Sequence, residues 1–269
     1  MARNVLLVGC GNMGYAMLKG WLSAGKLAAG EITVVEPNDA LRARAAAHGV
    51  TVAAAADEIG QDTVDLVFFA VKPQLIRDAV LPYRRFAADA TYVSVAAGTG
   101  IATLEELLGD GAAVIRCMPN TPAAIGKGMI AVFANRNVRP ETERFVKELL
   151  AANGEVATVD DEAQIDAVTA VSGSGPAYVF HFIECLTAAA ARAGLPAETA
   201  KLLALQTVYG AAVLAKESGE DPGRLREQVT SPNGTTAAAL AVLMGDDRLS
   251  KLVGEAVEAA RKRSIELGK

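Results

Sequence analysis

The sequence predicts an α/β protein in which a doubly wound parallel sheet is followed by an all-α domain. Three observations predict it. Short β-branched apolar runs alternate with helical segments over the first 160 residues. A glycine motif follows the first of these runs. Beyond residue 160 the strand candidates stop and alanine-rich helical stretches take over. Such alternation builds a parallel sheet covered on both faces, because each crossover helix packs its apolar stripe back onto the sheet.

The strand candidates are "NVLLVG" (4–9), "EITVVE" (31–36), "VDLVFFAV" (64–71), "TYVSVAA" (91–97) and "AVIRCM" (113–118). Their near-continuous hydrophobicity suits strands buried on both faces. Helical segments near 12–25, 38–48, 74–86 and 103–108 connect them. "GMIAVFAN" (128–135) and "GEVATVD" (154–160) bracket a helix near 140–152 and extend the sheet. After that, Pro and Gly punctuate six helical stretches at their starts and ends. The boundary falls near Asp160–Gln164. It divides the chain into an α/β domain over residues 1–161, expected to bind a dinucleotide at its glycine motif, and a helical domain over residues 162–269. Alanine-rich segments such as 186–193 and 237–241 present small residues on several faces. Helices of that kind need a partner, which predicts an intertwined homodimer.

Composition narrows the function. Half of the chain is apolar and the net charge is −5. An acidic chain without clustered Lys and Arg is not built for nucleic acid or an anionic membrane surface. No stretch approaches the roughly 20 uninterrupted apolar residues of a membrane span. The opening "MARNVLLVGCGNMG" runs directly into the glycine motif and is read as a buried strand, not a signal peptide. Three cysteines without CxxC spacing give neither a disulfide framework nor a zinc site. Buried thiols in a reducing cytoplasm are the expectation.

"VGCGNMG" supplies Gly9, Gly11 and Gly14 as G-x-G-x-x-G, with Asn12 and Met13 between them, at a strand-to-helix turn. In a Rossmann domain the first glycine makes the turn, the second admits the pyrophosphate, and the third lets helix and strand pack closely. The helix start then faces the phosphates. Glu36 ends the second strand about 20 residues beyond Gly14, the spacing of a ribose 2′-hydroxyl ligand. A carboxylate there accepts from a hydroxyl and repels a 2′-phosphate. The cofactor is therefore NADH or NADPH, with Glu36 leaning toward NADH and Arg42 and Arg44 offering a phosphate partner. "AVKPQ" places Ala70, Val71, Lys72 and Pro73 at the next strand exit, and "VAAGTG" places Ala96, Ala97 and Gly98 at the one after. Ligands bind beyond the carboxyl ends of such strands, and small residues there leave room for ribose and nicotinamide. "CMPNTPAAIGKG" sets Pro119 and Pro122 around Asn120 and Thr121, a stiff loop over the nicotinamide. Arg116, just inside it, pairs with either a phosphate or an acid.

In the helical half, "VTSPNGTTAAAL" (229–240) opens a helix with hydroxyls and free amides and holds no His, Lys, Asp, Glu or Cys. It is either an ordinary helix cap or an anion pocket without a proton donor. "SGSGPAYVF" (172–180) interrupts the helical pattern. His181 reads as a core histidine, Glu184 as a solvated or interface carboxylate, and His48 carries no role.

These motifs together resemble pyrroline-5-carboxylate reductase. The resemblance runs in order through "VGCGNMG", "FFAVKPQ", "SVAAG", "RCMPNTPAAIGKGM", "AVSGSGPAYVFHFIE" and "LREQVTSPNGTTAAALAVL", nearly the whole chain. It implies reduction of a carboxylate-bearing cyclic imine to L-proline, the last step of proline biosynthesis. It also implies dimers interlocked through the C-terminal helices and often assembled into decamers. By resemblance, Ser231, Gly234 and Thr235 hold the substrate carboxylate, Thr236 sits beside the imine nitrogen as the catalytic residue, and this loop serves the partner subunit. Asn233 stands where many members carry glycine, and it tolerates a left-handed backbone. The alternatives are a reductase of a related cyclic imine and a non-catalytic NAD(P)-binding scaffold. A hydroxyacid dehydrogenase needs a lysine on the first long C-terminal helix, and "PAYVFHFIECLTAAAARAG" has none.

Overall fold

A computed structural model describes residues 4–60 and 63–268. Met1, Ala2, Arg3 and Lys269, which the sequence-derived domains include, lie outside the described residues. The chain runs β1 (Val5–Val8), α1 (Asn12–Ser23), β2 (Ile32–Val35), α2 (Asp39–Ala46), β3 (Thr51–Ala53), β4 (Leu66–Phe69), α3 (Ile76–Val80), β5 (Thr91–Ser94), α4 (Ile101–Leu108), β6 (Ala113–Met118), β7 (Gly128–Ala134), α5 (Pro140–Leu150) and β8 (Gly154–Thr158). Helices follow: α6 (Gln164–Val168), α7 (Gly175–Arg192), α8 (Ala197–Ser218), α9 (Pro222–Gln228), α10 (Thr235–Met244) and α11 (Arg248–Leu267). By internal contacts, residues up to Ser174 and those from Ala260 onward form one compact unit, and Gly175–Ala259 forms a second. The strands thus end at Thr158, while α6 and the end of α11 pack with the sheet.

Among the described residues, eight strands make one sheet in the order β3-β2-β1-β4-β5-β6-β7-β8. All neighbours are parallel except β6 and β7. The sequence reverses direction between β1 and β4, the switch point at which such sheets bind ligands. Alternate side chains feed two cores. Leu7, Val34, Phe68 and Val93 pack with Met17 and Trp21 on one face. Leu6, Val8, Phe69 and Tyr92 pack with Tyr83 and Leu104 on the other. This is the two-residue period of a strand covered on both sides. Trp21 lies with its ring centroid 4.8 Å from that of Phe68.

Four local features depart from the sequence pattern. β3 is a three-residue edge strand whose first residue is exposed, so it leaves no apolar run to read. The segment 74–86 is not one helix: 3-10 turns at Pro73–Leu75 and Leu81–Phe86 flank α3. Pro82 has no N–H to donate and so cannot continue an α-helix. "SGSG" does not break the helix. Thr169–Gly173 forms a π-helical turn that carries α6 into α7. His181 is not a core residue in this chain. Its side chain is 75% exposed and pairs with Glu184 at 3.1 Å.

Asn153 ties α1 to the 3-10 turn Thr121–Ile125. Its buried Nδ2 donates to Ala16 O at 2.8 Å and Ala123 O at 3.2 Å. Both carbonyls keep a backbone donor, Ala16 O inside α1 and Ala123 O from Gly126 N–H at 3.2 Å, so replacing Asn153 removes two additional hydrogen bonds, at about 0.5–1.5 kcal/mol each. Asn153→Ala should therefore lower the free energy of unfolding by about 1–3 kcal/mol in a denaturant titration. A loss below about 0.5 kcal/mol, the range of ordinary surface substitutions, would show that the tie is dispensable.

Candidate active site

The turn between β1 and α1 is shaped by its glycines. Gly9 has φ +89° and donates its N–H to Val35 O at 2.8 Å. A Cβ on it would lie 2.7 Å from Ala70 O, and one on Gly14 would strike the Gly9 carbonyl. A Cβ on Gly11 would meet nothing within 4 Å. The chain is thus closed tightly on the protein side at Gly9 and Gly14 and open on the other side at Gly11. That is a backbone cradle for a group coming from outside, and it sits at the start of α1.

Glu36 joins this turn to its neighbour. It is only 7% exposed. Its Oε2 accepts from Cys10 N–H at 2.7 Å, and its Oε1 accepts from Asn38 N–H at 2.9 Å. Both arginines next to it are engaged. Arg42 donates to Glu36 O at 2.9 Å and pairs with Asp39 at 2.5 Å. Arg44 donates to Cys10 O at 2.7 Å and lies 3.9 Å over the Tyr15 ring. The Tyr15 hydroxyl is 2.9 Å from His48 Nε2, so His48 supports this layer.

A cavity of about 510 Å³ opens here, lined among others by Gly9, Gly11, Glu36, Ala70, Val71 and Lys72. It is mostly apolar with few polar groups, as small-ligand sites are. Leu41, Ala56 and Leu75 complete its walls. No motif or spacing marks these three, because wall residues need only be apolar. Pro73 begins the 3-10 turn beside it, after Lys72. Asn12 and Met13 line a separate cavity of about 390 Å³ with Arg44 and Thr121.

The next loop carries Ala96, Ala97 and Gly98. Ala96 is buried, and Gly98 takes φ +74° against the end of α11. Asn120 is held from both ends of its amide. Its Nδ2 donates to Ser172 O at 3.0 Å, and its Oδ1 accepts from Met129 N–H at 2.9 Å. The side chain therefore fastens its loop to the π turn. Arg116 is buried and meets an acid: Nη1 is 2.9 Å from Glu162 Oε1. The partner lies 46 residues away, and no spacing in the sequence indicates it.

The second unit holds the polar loop. Asn233 has φ +58°, the left-handed conformation its side chain tolerates. Gly234 is the N-cap of α10 and brings no side chain to the cap. Gly234 N–H donates to Ser231 O at 3.1 Å, and Ala238 N–H is the first to reach back to Gly234 O. The amides of Thr235, Thr236 and Ala237 thus belong to the first turn, where a helix leaves its donors without partners. Thr235 is exposed and Thr236 half-buried. The helix dipole adds partial positive charge at that point. The arrangement presents free donors, as an anion requires, and has no ionisable side chain of its own.

Comparison with known proteins covers both units. Residues 162–267 match the family described as pyrroline-5-carboxylate reductase dimerisation. Residues 4–98 match the one described as NADP oxidoreductase, coenzyme F420-dependent. The chain is 41% identical to the pyrroline-5-carboxylate reductase of Pseudomonas aeruginosa, over 98% of this chain and 96% of that protein. It is 38% identical to that of Escherichia coli K12 over the full length of both. The solved pyrroline-5-carboxylate reductase of Coxiella burnetii superposes with a TM-score of 0.94 at 34% identity, covering 100% of each chain. That of Plasmodium falciparum, with NADP bound, superposes with a TM-score of 0.85 at 28% identity, covering 99% of this chain and 98% of that one. With a two-unit fold shared end to end and identity sustained through both units, the chain belongs to the pyrroline-5-carboxylate reductase family.

Proposed function

We propose that the chain catalyses the NAD(P)H-dependent reduction of 1-pyrroline-5-carboxylate to L-proline, the last step of proline biosynthesis. The observation that carries the proposal is the start of α10, an anion-gripping helix end without an acid or base. A cyclic imine takes its proton from water before binding, so its carbon arrives electrophilic. Its carboxylate provides the handle. When bound, the reduced nicotinamide supplies the hydride to the iminium carbon, and the C=N π pair returns to nitrogen. The chain's own task is to orient the ring and exclude competing geometries. Ser231, Gly234 and Thr235 receive the carboxylate through loop and helix-start amides. The Thr236 hydroxyl accepts from the iminium N–H and later donates to the amine.

Gly9, Gly11, Asn12, Met13 and Gly14 hold the pyrophosphate, with Ala70, Val71, Lys72 and Pro73 beside the ribose and Ala96, Ala97, Gly98 and Asn120 toward the nicotinamide. Glu36 receives the adenosine ribose, and the preferred cofactor is NADH. Two observations support that preference: the Glu36 carboxylate lines the cavity, and both nearby arginines already serve backbone carbonyls. The working form is a homodimer through the C-terminal helices, extending to a decamer, in the cytoplasm. Phe180, Leu202, Tyr209 and Leu252 are each at least 60% exposed in the single chain, which supports a partner over that unit. No described helix is long and apolar enough to cross a membrane.

Oxidation of NADH and NADPH, followed in parallel with pyrroline-5-carboxylate, tests the reaction; absence of turnover with both overturns it. Thr236→Ala should lower kcat by about 10²-fold, the scale of one transition-state hydrogen bond, with the cofactor KM nearly unchanged. Unaltered turnover would remove Thr236 from the chemistry. Glu36→Ser should move the NADH-to-NADPH ratio of kcat/KM at least about tenfold toward NADPH, or ~1.4 kcal/mol. A constant ratio would show that Glu36 does not read the ribose. Light scattering should give twice the 27.8 kDa chain mass or a multiple of that, and a monomeric mass would exclude the dimer.

A further inference from the structure

The β5–α4 loop, Val95–Gly100, is held by residues far from it in sequence. Gly100, the N-cap of α4, brings no side chain to cap the helix. The cap comes from Glu162, whose Oε1 accepts from Ile101 N–H at 2.8 Å. The same oxygen meets Arg116 Nη1 at 2.9 Å. Arg116 is buried, with a 7% exposed side chain, and it fixes Glu162 from the sheet side.

One turn further along, Asp166 makes a second grip. Its Oδ1 accepts from the Ser264 hydroxyl at 2.6 Å, and Ser264 is only 4% exposed. Ser264 lies on α11, and the next turn of that helix reaches the loop itself. A Cβ on Gly98 would lie 3.1 Å from Leu267 O and 3.2 Å from Leu267 Cβ. In return, a Cβ on Gly268 would lie 2.8 Å from Gly98 O. Helix end and loop therefore meet backbone to backbone, with glycine on both sides. Gly98 holds its left-handed φ of +74° under this contact.

We propose that Glu162 and Ser264 are positioning residues for the cofactor: the α6 segment clamps the start of α4 through one and the end of α11 through the other. Together they fix Ala96–Gly98 in the shape that receives the nicotinamide half. The inference rests on the assignment of Ala96, Ala97 and Gly98 to the cofactor. Neither Glu162 nor Ser264 needs to touch the ligand. Each restricts the loop before binding, so the loop's ordering does not have to be supplied by the cofactor.

Ser264→Ala and Glu162→Ala test this in the full chain. Each should raise the Kd and KM for NAD(P)H about tenfold, the scale of one hydrogen bond to a charged group. Affinity for ADP-ribose, which lacks the nicotinamide, should stay within twofold, as should the KM for the imine. Without cofactor, amide hydrogen exchange over 95–101 should accelerate in both variants, and Ser264→Thr, which keeps the hydroxyl, should restore wild-type values. Should Glu162→Ala fail to fold with Arg116 unpaired, Ser264→Ala and its Thr rescue decide alone. Unchanged NAD(P)H affinity and exchange in Ser264→Ala would overturn the clamp, as would a parallel loss of ADP-ribose binding. If cofactor gives wild-type residues 95–101 no added protection, the assignment of that loop fails first, and the proposal fails with it. Faster exchange in the variants would then show a clamp serving the fold alone.

Discussion

The site depends on one carboxylate accepting from two backbone amides. Glu36 receives Cys10 N–H from the first βα turn and Asn38 N–H from the second. Buried amides need acceptors, and a carboxylate with two oxygens serves both at once. The glycines give the first turn its shape, but they do not fix where it sits relative to its neighbour. Glu36 does. Arg44 holds the same turn from its carbonyl side at Cys10, so this short segment is anchored through both N–H and C=O. An arginine that already has a backbone acceptor and an aromatic ring beneath it is poorly placed to turn toward an added phosphate. Turn geometry and the charge presented to the cavity are therefore set by the same few atoms.

In the second unit, the helix start at α10 presents its donors without titratable groups. Its strength comes from donors that the helix geometry leaves free and from aligned peptide dipoles. Gly234 as N-cap contributes no competing side chain, whereas a Ser or Asp there would satisfy those donors internally. Asn233 makes the preceding left-handed step without glycine. Nothing in residues 231–236 gains or loses a proton near neutral pH, so the donors this loop presents do not change with pH.

Much of the fold was legible because it follows from periodicity. The runs at Val5–Val8 and Leu66–Phe69 are apolar at every position, Thr91–Ser94 is β-favouring and buried at every one, and both faces of the sheet are covered. The glycine motif and Glu36 were legible for the same reason: a local rule fixes their spacing. The edge strand Thr51–Ala53 was not, since an edge needs only one buried face and three residues show no period. The reversed direction of β7 leaves no trace in composition. The glycine–serine stretch looked like a break because small polar residues usually end helices. Here Asn120 donates to the Ser172 carbonyl and helps sustain a wider turn. The partners of Arg116 and Asp166 were invisible because they come from elements separated by tens of residues. Charge alone says that a partner exists, and only the folded chain says which.

The sulfur at the nucleotide end has a chemical consequence. Cys10 lies inside the dinucleotide turn with no exposed surface, and burial pushes its thiol up from the ordinary range despite the nearby Arg44. Cys117 on β6 is shifted upward by burial too. Peroxides and electrophiles attack thiolates, and these two positions supply almost none at neutral pH. Cys185, expected from the sequence to be buried like the other two, is instead exposed in the single chain, so thiol reagents meet it before the sulfur of the dinucleotide turn.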